Sequence, residues 1–453
     1  MTTQQTGGAA PVPADRPLFI RQGLRGPAWF LILLPLYAPV LLWLLAGPAR
    51  AAFGTPAGAL QALALLAGLC GYVAFAMTLI LGARLPPLER LFGALDRMYR
   101  FHRRLGEAVG ALLVAHVALI AGSRALDSPA GALDLFRPDG WRVFAGVVAF
   151  AAFAAVLALT LFGRLRHEPF LRVHRLFGLT YCIGALHVLR VPGLSAQTPG
   201  LTAYLGLVTA AGIGAWVYRS VFGRTLVRRH YYTVTAVRPV HPTVAEVVLT
   251  PIGERLDFSP GQLVFIGLDD DAVTRELHPF SITSAPGEED LRLAVKAVGD
   301  FTIGLREVRP GAWAMVEGPY GGFWHDSARH RRQIWIAGGI GITPFLSIAR
   351  SLDPTDYAID LYYSTVDADA AVFIDELAAI ADRHPSFRVI PVREDTLGFL
   401  TAEDVRGASG DLGHAHIFMC GPPAMMDALS TQFTRLGVPA GHLHFEDFRL
   451  RGR

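Results

Sequence analysis

Residues 102–116 read HRRLGEAVGALLVAH, and residues 174–187 read HRLFGLTYCIGALH. Each is an apolar stretch with a histidine at both ends. Ionisable side chains within apolar spans are expensive and mark function by default. These two stretches belong to the third and fifth of six apolar runs, near 27–47, 58–82, 105–122, 142–163, 174–190 and 201–222. A helical span needs about 20 largely apolar residues, so the six runs predict a six-helix transmembrane bundle. The third and fifth spans are separated by one full pass and run parallel. His102 therefore meets His174 at one depth, and His116 meets His187 at another. Each level offers two imidazoles, the ligand set of a six-coordinate b-type haem. At about 1.5 Å per residue the two levels lie about 20 Å apart. The spacing of 14 residues in the third span returns to nearly the same helix face, about 40° off at roughly 100° per residue. The spacing of 13 in the fifth is about 140° off on an ideal helix. Gly178 and Gly184 are the positions where a local distortion would relieve that mismatch.

Composition agrees with a membrane chain. Of 453 residues, 52% are hydrophobic and only 17% charged, with a mean hydropathy of +0.37. Soluble domains carry about a quarter charged residues. Three cysteines exclude a disulfide framework. The net charge of +3 hides a division: residues 1–229 hold 22 Arg against 8 Asp+Glu, and residues 230–453 hold 19 Lys+Arg against 30 Asp+Glu. Basic charge flanking apolar spans points to a membrane surface and not to nucleic acid. Seventeen arginines fall in the flanks on one side of the spans and 5 on the other. The positive-inside rule then puts both termini in the cytoplasm, in an integral protein of the cell (inner) membrane. Residues 1–26 read as a disordered cytoplasmic tail, of which residues 1–16 lack the basic n-region of a signal peptide, and residues 27–229 as the haem-binding domain. Arg100, Arg103, Arg104 and Arg175 stand at the first histidine level as candidates for pairing with haem propionates. Glu107 has no partner evident from the sequence.

Beyond residue 230 the period changes to two. YYTVTAV, VAEVVLT, QLVFIGL and LRLAVKAV are short β-rich runs between Gly, Pro and Asp. They predict an antiparallel β-barrel over 230–328. From 329 to 453 strand-like and helix-like runs alternate: QIWIAGG, TPFLSIARSL, AIDLYYS, AVFIDELAAIA, FRVIPV, HIFMCG and AMMDALSTQFTRLG. That alternation predicts an α/β doubly wound domain. Pro310 to Gln333 reads as a connection containing GPYGGFW. Three motifs carry chemistry: His278-Pro279-Phe280-Ser281-Ile282-Thr283-Ser284; Gly299-Asp300-Phe301-Thr302 after Lys296; and Gly338-Gly339-Ile340-Gly341-Ile342-Thr343-Pro344. A glycine-rich turn entering a helix lets backbone N–H groups approach a pyrophosphate. The third motif is not G-x-G-x-x-G, but with CGPPAMM at a later strand end it marks the edge where a nucleotide sits.

On these motifs residues 230–453 resemble the ferredoxin–NADP reductase superfamily. With the apolar spans attached, the chain resembles the ferric reductase and NADPH oxidase family of transmembrane flavocytochromes b. The resemblance implies an FAD-binding domain in which His278, Pro279, Phe280, Ser281 and Thr283 hold the flavin, with Ser281 close to its N5. Lys296 would border the flavin, and Gly299 and Thr302 would cap its pyrophosphate. Gly338, Gly339, Gly341, Thr343 and Pro344 would bind NADPH or NADH, with Cys420, Gly421 and Pro422 by the nicotinamide. Glu446 and Phe448 resemble the Glu-x-aromatic terminus of such reductases, with Phe448 stacked on the flavin. Ser281, Cys420, Glu446 and Phe448 are then the catalytic candidates, and His102, His116, His174 and His187 the metal ligands.

The implied activity is an NAD(P)H-dependent oxidoreductase that passes electrons through FAD and two b-type haems to an acceptor outside. A ferric chelate is the first expectation. The alternatives are a superoxide-producing oxidase and an electron relay feeding a periplasmic redox partner. For the coenzyme, Ser364-Thr365-Val366-Asp367 after the LYYS strand lacks the Arg that grips a 2′-phosphate. Arg393 is the nearest substitute in sequence pattern.

Overall fold

The computed structural model describes residues 28–45, 53–92, 95–128, 131, 133, 141–163, 167–190, 199–323, 331–352 and 357–446. The expected N-terminal tail, Phe448 and most of the loops expected outside lie beyond the described residues. The chain forms two compact units. The first holds the long helices and most of a six-stranded sheet; the second holds a five-stranded sheet with its helices.

Among the described residues, six long helices fall where the apolar runs are: α1 (Ala28–Leu45), α2 (Pro56–Gly82), α3 (Leu95–Asp127), α4 (Trp141–Phe162), α5 (His167–Val188) and α6 (Pro199–Ser220). Thr55 caps α2 by accepting from the Gly58 N–H at 3.1 Å, with Pro56 at the first helical position. α2 is central and packs against α1, α3, α5 and α6. Phe75, Phe153, Phe177 and Tyr181 form its aromatic core, and Tyr72 meets Thr209 at 2.6 Å. Pro39 has no N–H for the Pro35 carbonyl one turn back. Tyr204 of α6 donates to that carbonyl at 2.6 Å, which satisfies a group that lipid would leave bare. Outward-facing Leu41, Val114, Leu159, Leu179 and Leu207 are exposed, as a lipid-facing surface requires.

The expectation of six membrane spans needs correction. Among the described residues, four helices are long and apolar enough to cross a membrane: Pro56–Gly82, Arg97–Asp127, Val143–Phe162 and Pro199–Ser220. α5 is long enough, but Arg172, His174 and Arg175 dilute its apolar run. α1 offers only a shorter apolar helix, Leu33–Leu45.

The six-stranded sheet comprises β1 (Arg229–His241), β2 (Val244–Ile252), β3 (Leu263–Asp269), β4 (His278–Ser281), β5 (Leu291–Lys296) and β6 (Trp313–Tyr320). Its order is β4-β3-β6-β1-β2-β5. It is not the closed barrel expected. β4 and β5 meet at one isolated bridge, Ile282 to Leu293. β4 is short and includes Pro279, which has no N–H to give a ladder. The stretch read as a connection also holds β6, which sits between β3 and β1. Val234, Val247, Leu249, Ile266, Leu293 and Val316 fill the core beneath the sheet.

The second unit is a parallel sheet of β7 (Arg332–Gly338), β8 (Ala358–Thr365), β9 (Phe387–Arg393), β10 (His416–Cys420) and β11 (Leu443–Glu446), ordered β11-β10-β7-β8-β9. Helices α7 (Thr343–Arg350), α8 (Ile374–Arg383), α9 (Ala402–Ser409) and α10 (Pro423–Arg435) complete it. The alternation read from sequence is therefore a doubly wound fold whose order reverses beside β7.

Candidate redox sites

The four histidines form two pairs. His102 and His174 have ring centroids 6.0 Å apart, and His116 and His187 have theirs 6.5 Å apart. Two iron–nitrogen bonds of about 2 Å, with each ring's own radius, separate facing imidazole centroids by roughly 6 Å. Nδ1 of His102 meets the Thr78 carbonyl at 3.0 Å, and Nδ1 of His116 meets the Ala64 carbonyl at 2.7 Å. A carbonyl only accepts, so Nδ1 is the protonated nitrogen in both rings. Nε2 keeps its lone pair for a metal. His174 lies between Phe170 and Phe177, with its Nδ1 buried and without a hydrogen-bond partner. This donor set fits a bis-histidine haem at each level.

Both pairs form despite the mismatched spacing in α5, and glycines on neighbouring helices make room at the outer level. A Cβ on Gly68 of α2 would lie 2.6 Å from Nδ1 of His116, and one on Gly146 of α4 would lie 2.9 Å from the His187 ring. The outer rings occupy space that these two glycines leave open. α5 is helical throughout His167–Val188. Gly178 admits the Trp216 indole, whose Nε1 donates to the Arg175 carbonyl at 2.9 Å; a Cβ on Gly178 would lie 2.1 Å from that nitrogen. Gly184 has nothing within 4 Å of its missing Cβ. Glu107 does have a partner, Arg103 one turn earlier at 3.2 Å, so Arg103 is engaged on an exposed face.

In the six-stranded sheet, His278 stacks on Phe301 with centroids 3.9 Å apart and stands 3.7 Å from Glu276. Pro279 and Phe280 are half-buried beside it, and Ser281 ends β4. The Ser281 hydroxyl is buried without a partner, and Thr283 is buried just beyond. An orphan hydroxyl at a strand end suits a ligand that supplies its hydrogen bond. Lys296 ends β5, in register with Val244. The Thr302 hydroxyl lies 2.9 Å from the Val298 nitrogen and 3.0 Å from the Gly299 nitrogen, and 2.9 Å from the Gly299 carbonyl. Thr302 thus shapes the Gly299 turn at the start of the one-turn helix Asp300–Gly304.

In the second unit the two glycine motifs pack on each other. A Cβ on Gly341 would lie 2.2 Å from the Cys420 carbonyl, and one on Gly338 would lie 2.6 Å from Pro422. Gly421 is close-packed in the same way against Gly338. Gly338, Gly341 and Gly421 therefore let the ends of β7 and β10 approach. Gly339 differs: its φ is +53° and open space lies where its Cβ would be. Its backbone is the one left bare for a ligand to approach. Thr343 and Pro344 open α7 and are buried, and the Thr343 hydroxyl donates to the Ile340 carbonyl at 3.1 Å. Cys420 is a fully buried thiol, outside any disulfide, at the β10 end, in register with Glu446 of β11. Ser364 at the β8 end donates to Glu394 at 2.9 Å, and Arg393 stands in register with Thr365.

Sequence reasoning missed Gly68, Gly146, the Thr78 and Ala64 carbonyls, Glu394, and a buried Glu317 on β6. The glycines sit in apolar runs where no local signal separates them from ordinary helix-packing residues.

Three family models match in chain order. They are a ferric reductase like transmembrane component over residues 67–185, an FAD-binding domain over 232–322 and an oxidoreductase NAD-binding domain over 335–431. Together they make up the architecture of the ferric reductase and NADPH oxidase type of flavocytochrome, and the chain has that architecture. It is a membrane protein and an NAD(P)H-dependent oxidoreductase with FAD- and NAD-binding domains. Relatives of known description match its second half. The reductase component of the naphthalene 1,2-dioxygenase/salicylate 5-hydroxylase systems of Ralstonia sp is 26% identical over 49% of this chain and 69% of its own. NADH–cytochrome b5 reductase 1 of Arabidopsis thaliana is 27% identical over 47% of this chain and 79% of its own. The match covers 62% of the propane 2-monooxygenase reductase component of Rhodococcus jostii, at 24% identity. Among solved structures, an Amycolatopsis cytochrome P450 reductase covers 49% of this chain and 70% of its own at 25% identity, with a TM-score of 0.43.

Proposed function

We propose that this protein carries electrons from cytoplasmic NAD(P)H, by way of FAD and two bis-histidine haems, to a ferric chelate on the opposite face of the membrane. The observation that carries this reading is the pairing of His102 with His174 and of His116 with His187 at two levels of one helix pair. When bound, FAD would accept a hydride from the coenzyme and the haem irons would exchange single electrons. The chain's own work is to hold and orient. The Thr78 and Ala64 carbonyls fix two imidazoles with Nε2 free. His278, Pro279, Phe280, Ser281 and Thr283 line the flavin edge, with Lys296, Gly299 and Thr302 beside it. Gly339 offers its backbone to the dinucleotide, Cys420 ends β10 beside that turn, and Glu446 ends β11 on the far side of β10.

Orientation rests on the arginine bias, which supports a cytoplasmic side for both nucleotide-binding domains of a cell-membrane protein. Arg124, exposed near the end of α3, supplies positive charge for an anionic chelate at the far face. A redox partner protein is the other acceptor class, since several relatives are by name the reductase components of multi-protein systems. For the coenzyme, the carboxylate of Glu394 held by Ser364 favours a ribose diol over a 2′-phosphate.

The test is an absorption spectrum of the purified protein before and after anaerobic NADH or NADPH. Haem b bands that reduce on coenzyme addition, with two haems per chain, are the expected result, and NADH is expected to act faster. A flavin that bleaches in assembled protein without haem bands sinks the relay and leaves a tethered flavin reductase. Superoxide formation without Fe(II) production under argon would replace the ferric chelate by O2.

A further inference from the structure

The carboxylate of Glu317 on β6 is fully buried, and three guanidinium groups face it. Arg219 from the end of α6 stands at 2.8 Å, Arg229 from the start of β1 at 3.6 Å, and Arg84 just past α2 at 3.9 Å. The Tyr320 hydroxyl donates to the same carboxylate at 2.9 Å. Arg84 adopts a left-handed φ of +55°, a conformation that side chains with a Cβ avoid. Its guanidinium lies 4.3 Å from the ring of Phe265 on β3 and 5.5 Å from that of Tyr99 on α3. Alongside, Glu89 of the short helix Pro86–Phe92 accepts from the Gly321 N–H. All these contacts tie β6 and its neighbours to one end of the helix bundle. It is the end that carries His102: Tyr99 is one turn before it, and Gly82 is its neighbour.

Burial works against the Glu317 charge, but Arg219 and Arg84 outweigh it and hold the carboxyl below its usual range. A buried ion cluster adds little net stability, yet it satisfies only one arrangement of its members. Rates of reactions that depend on placement can fall roughly 100-fold for a shift of about 1 Å.

We propose that Glu317 is a positioning residue that, with Arg84, Arg219 and Arg229, fixes the flavin-binding sheet on the end of the bundle bearing His102 and His174. The functional consequence rests on the relay reading above; the structural one does not.

The full chain in lipid nanodiscs tests both. In Glu317→Gln, amide exchange is expected to rise about tenfold in segments 83–92 and 217–232 and to stay unchanged in 357–446. In the loaded protein, coenzyme-driven ferricyanide reduction at the flavin is expected to stay within about twofold, while haem reduction slows about tenfold or more. Arg219→Gln is expected to act in the same direction, and the double variant to fall short of the product of the two effects. If Glu317→Gln does not assemble, Arg84→Gln, which removes the longest of the three contacts, reads the same quantities. Unchanged exchange, or a parallel fall of both rates with loss of FAD, overturns the proposal. A parent protein without haem overturns the relay, while the exchange result still decides the joint.

Discussion

At the residue scale, the haem-ligand reading depends on space as much as on nitrogen. His116 fits because Gly68 has no side chain; a Cβ there would lie 2.6 Å from Nδ1 and 2.9 Å from Cε1 of the ring. Real Cβ atoms do not approach so closely, and the ring is held by its bond to the Ala64 carbonyl. Gly68→Ala is therefore expected to push His116 off its partner and to lower haem content from two towards one per chain, as His116→Ala should. Gly106→Ala, where nothing lies within 4 Å, is expected to leave both haems in place. Pyridine haemochrome analysis against protein concentration reads all three. Equal haem content in Gly68→Ala and the parent would mean that the ring is not confined as described.

At the scale of elements, the turn between β7 and α7 separates two kinds of glycine. Gly341→Ala would put a Cβ 2.2 Å from the Cys420 carbonyl, and backbone cannot swing aside as a side chain can. The ends of β7 and β10 must part, so flavin reduction by the coenzyme is expected to fall at least about tenfold. Gly339→Ala meets no atom and only bears its left-handed φ, a strain of about 1 kcal/mol. It should raise coenzyme KM modestly. Stopped-flow flavin reduction distinguishes the two, and equal effects would refute the division. Asp360 on β8 gives an acid test of the same sheet. Burial opposes its charge, but Arg388, Arg332 and Ser409 bond it and hold its carboxyl below the ordinary range. A depressed carboxyl stabilises the fold fully above its unfolded value, about 3.9 for Asp, and loses that contribution as pH falls through the folded value. Asp360→Asn is expected to cost about 3 kcal/mol at neutral pH and to flatten the acid limb in denaturant titrations of β8 exchange. What sequence made legible follows from the same physics. The doubly wound unit was readable because parallel strands such as QIWIAGG and HIFMCG are continuous apolar runs bounded by glycines. β6 was not, because WAMVEGPY buries a glutamate whose partners are 88 to 233 positions away along the chain. Barrel closure failed at Pro279, and the histidine pairs were legible in spacing but not in the glycines that seat them.

At the scale of the whole molecule, the question is whether electrons leave on the side where they enter. A charge division of the sequence, with 22 Arg in residues 1–229 and 30 Asp+Glu in residues 230–453, is the basis of the proposed sidedness. In the proposed relay, the paired histidines at two levels would give it a route across. The two properties make a joint prediction that neither makes alone. In sealed liposomes with the nucleotide domains outward, coenzyme added outside is expected to reduce a ferric chelate trapped inside under argon, read by ferrozine enclosed with it. His102→Ala and His116→Ala should each abolish the trapped signal, the first at the entry level and the second at the exit level. Both should retain reduction of external ferricyanide, which draws on the flavin alone. Glu317→Gln should weaken the trapped signal without abolishing it, because it leaves every ligand in place and loosens only the joint. In air, superoxide dismutase-sensitive reduction of enclosed cytochrome c reports competition by O2 for the same exit. If only external acceptors are reduced in the parent protein, the histidine levels do not form a path, and the membrane half serves to tether a flavin reductase to the bilayer.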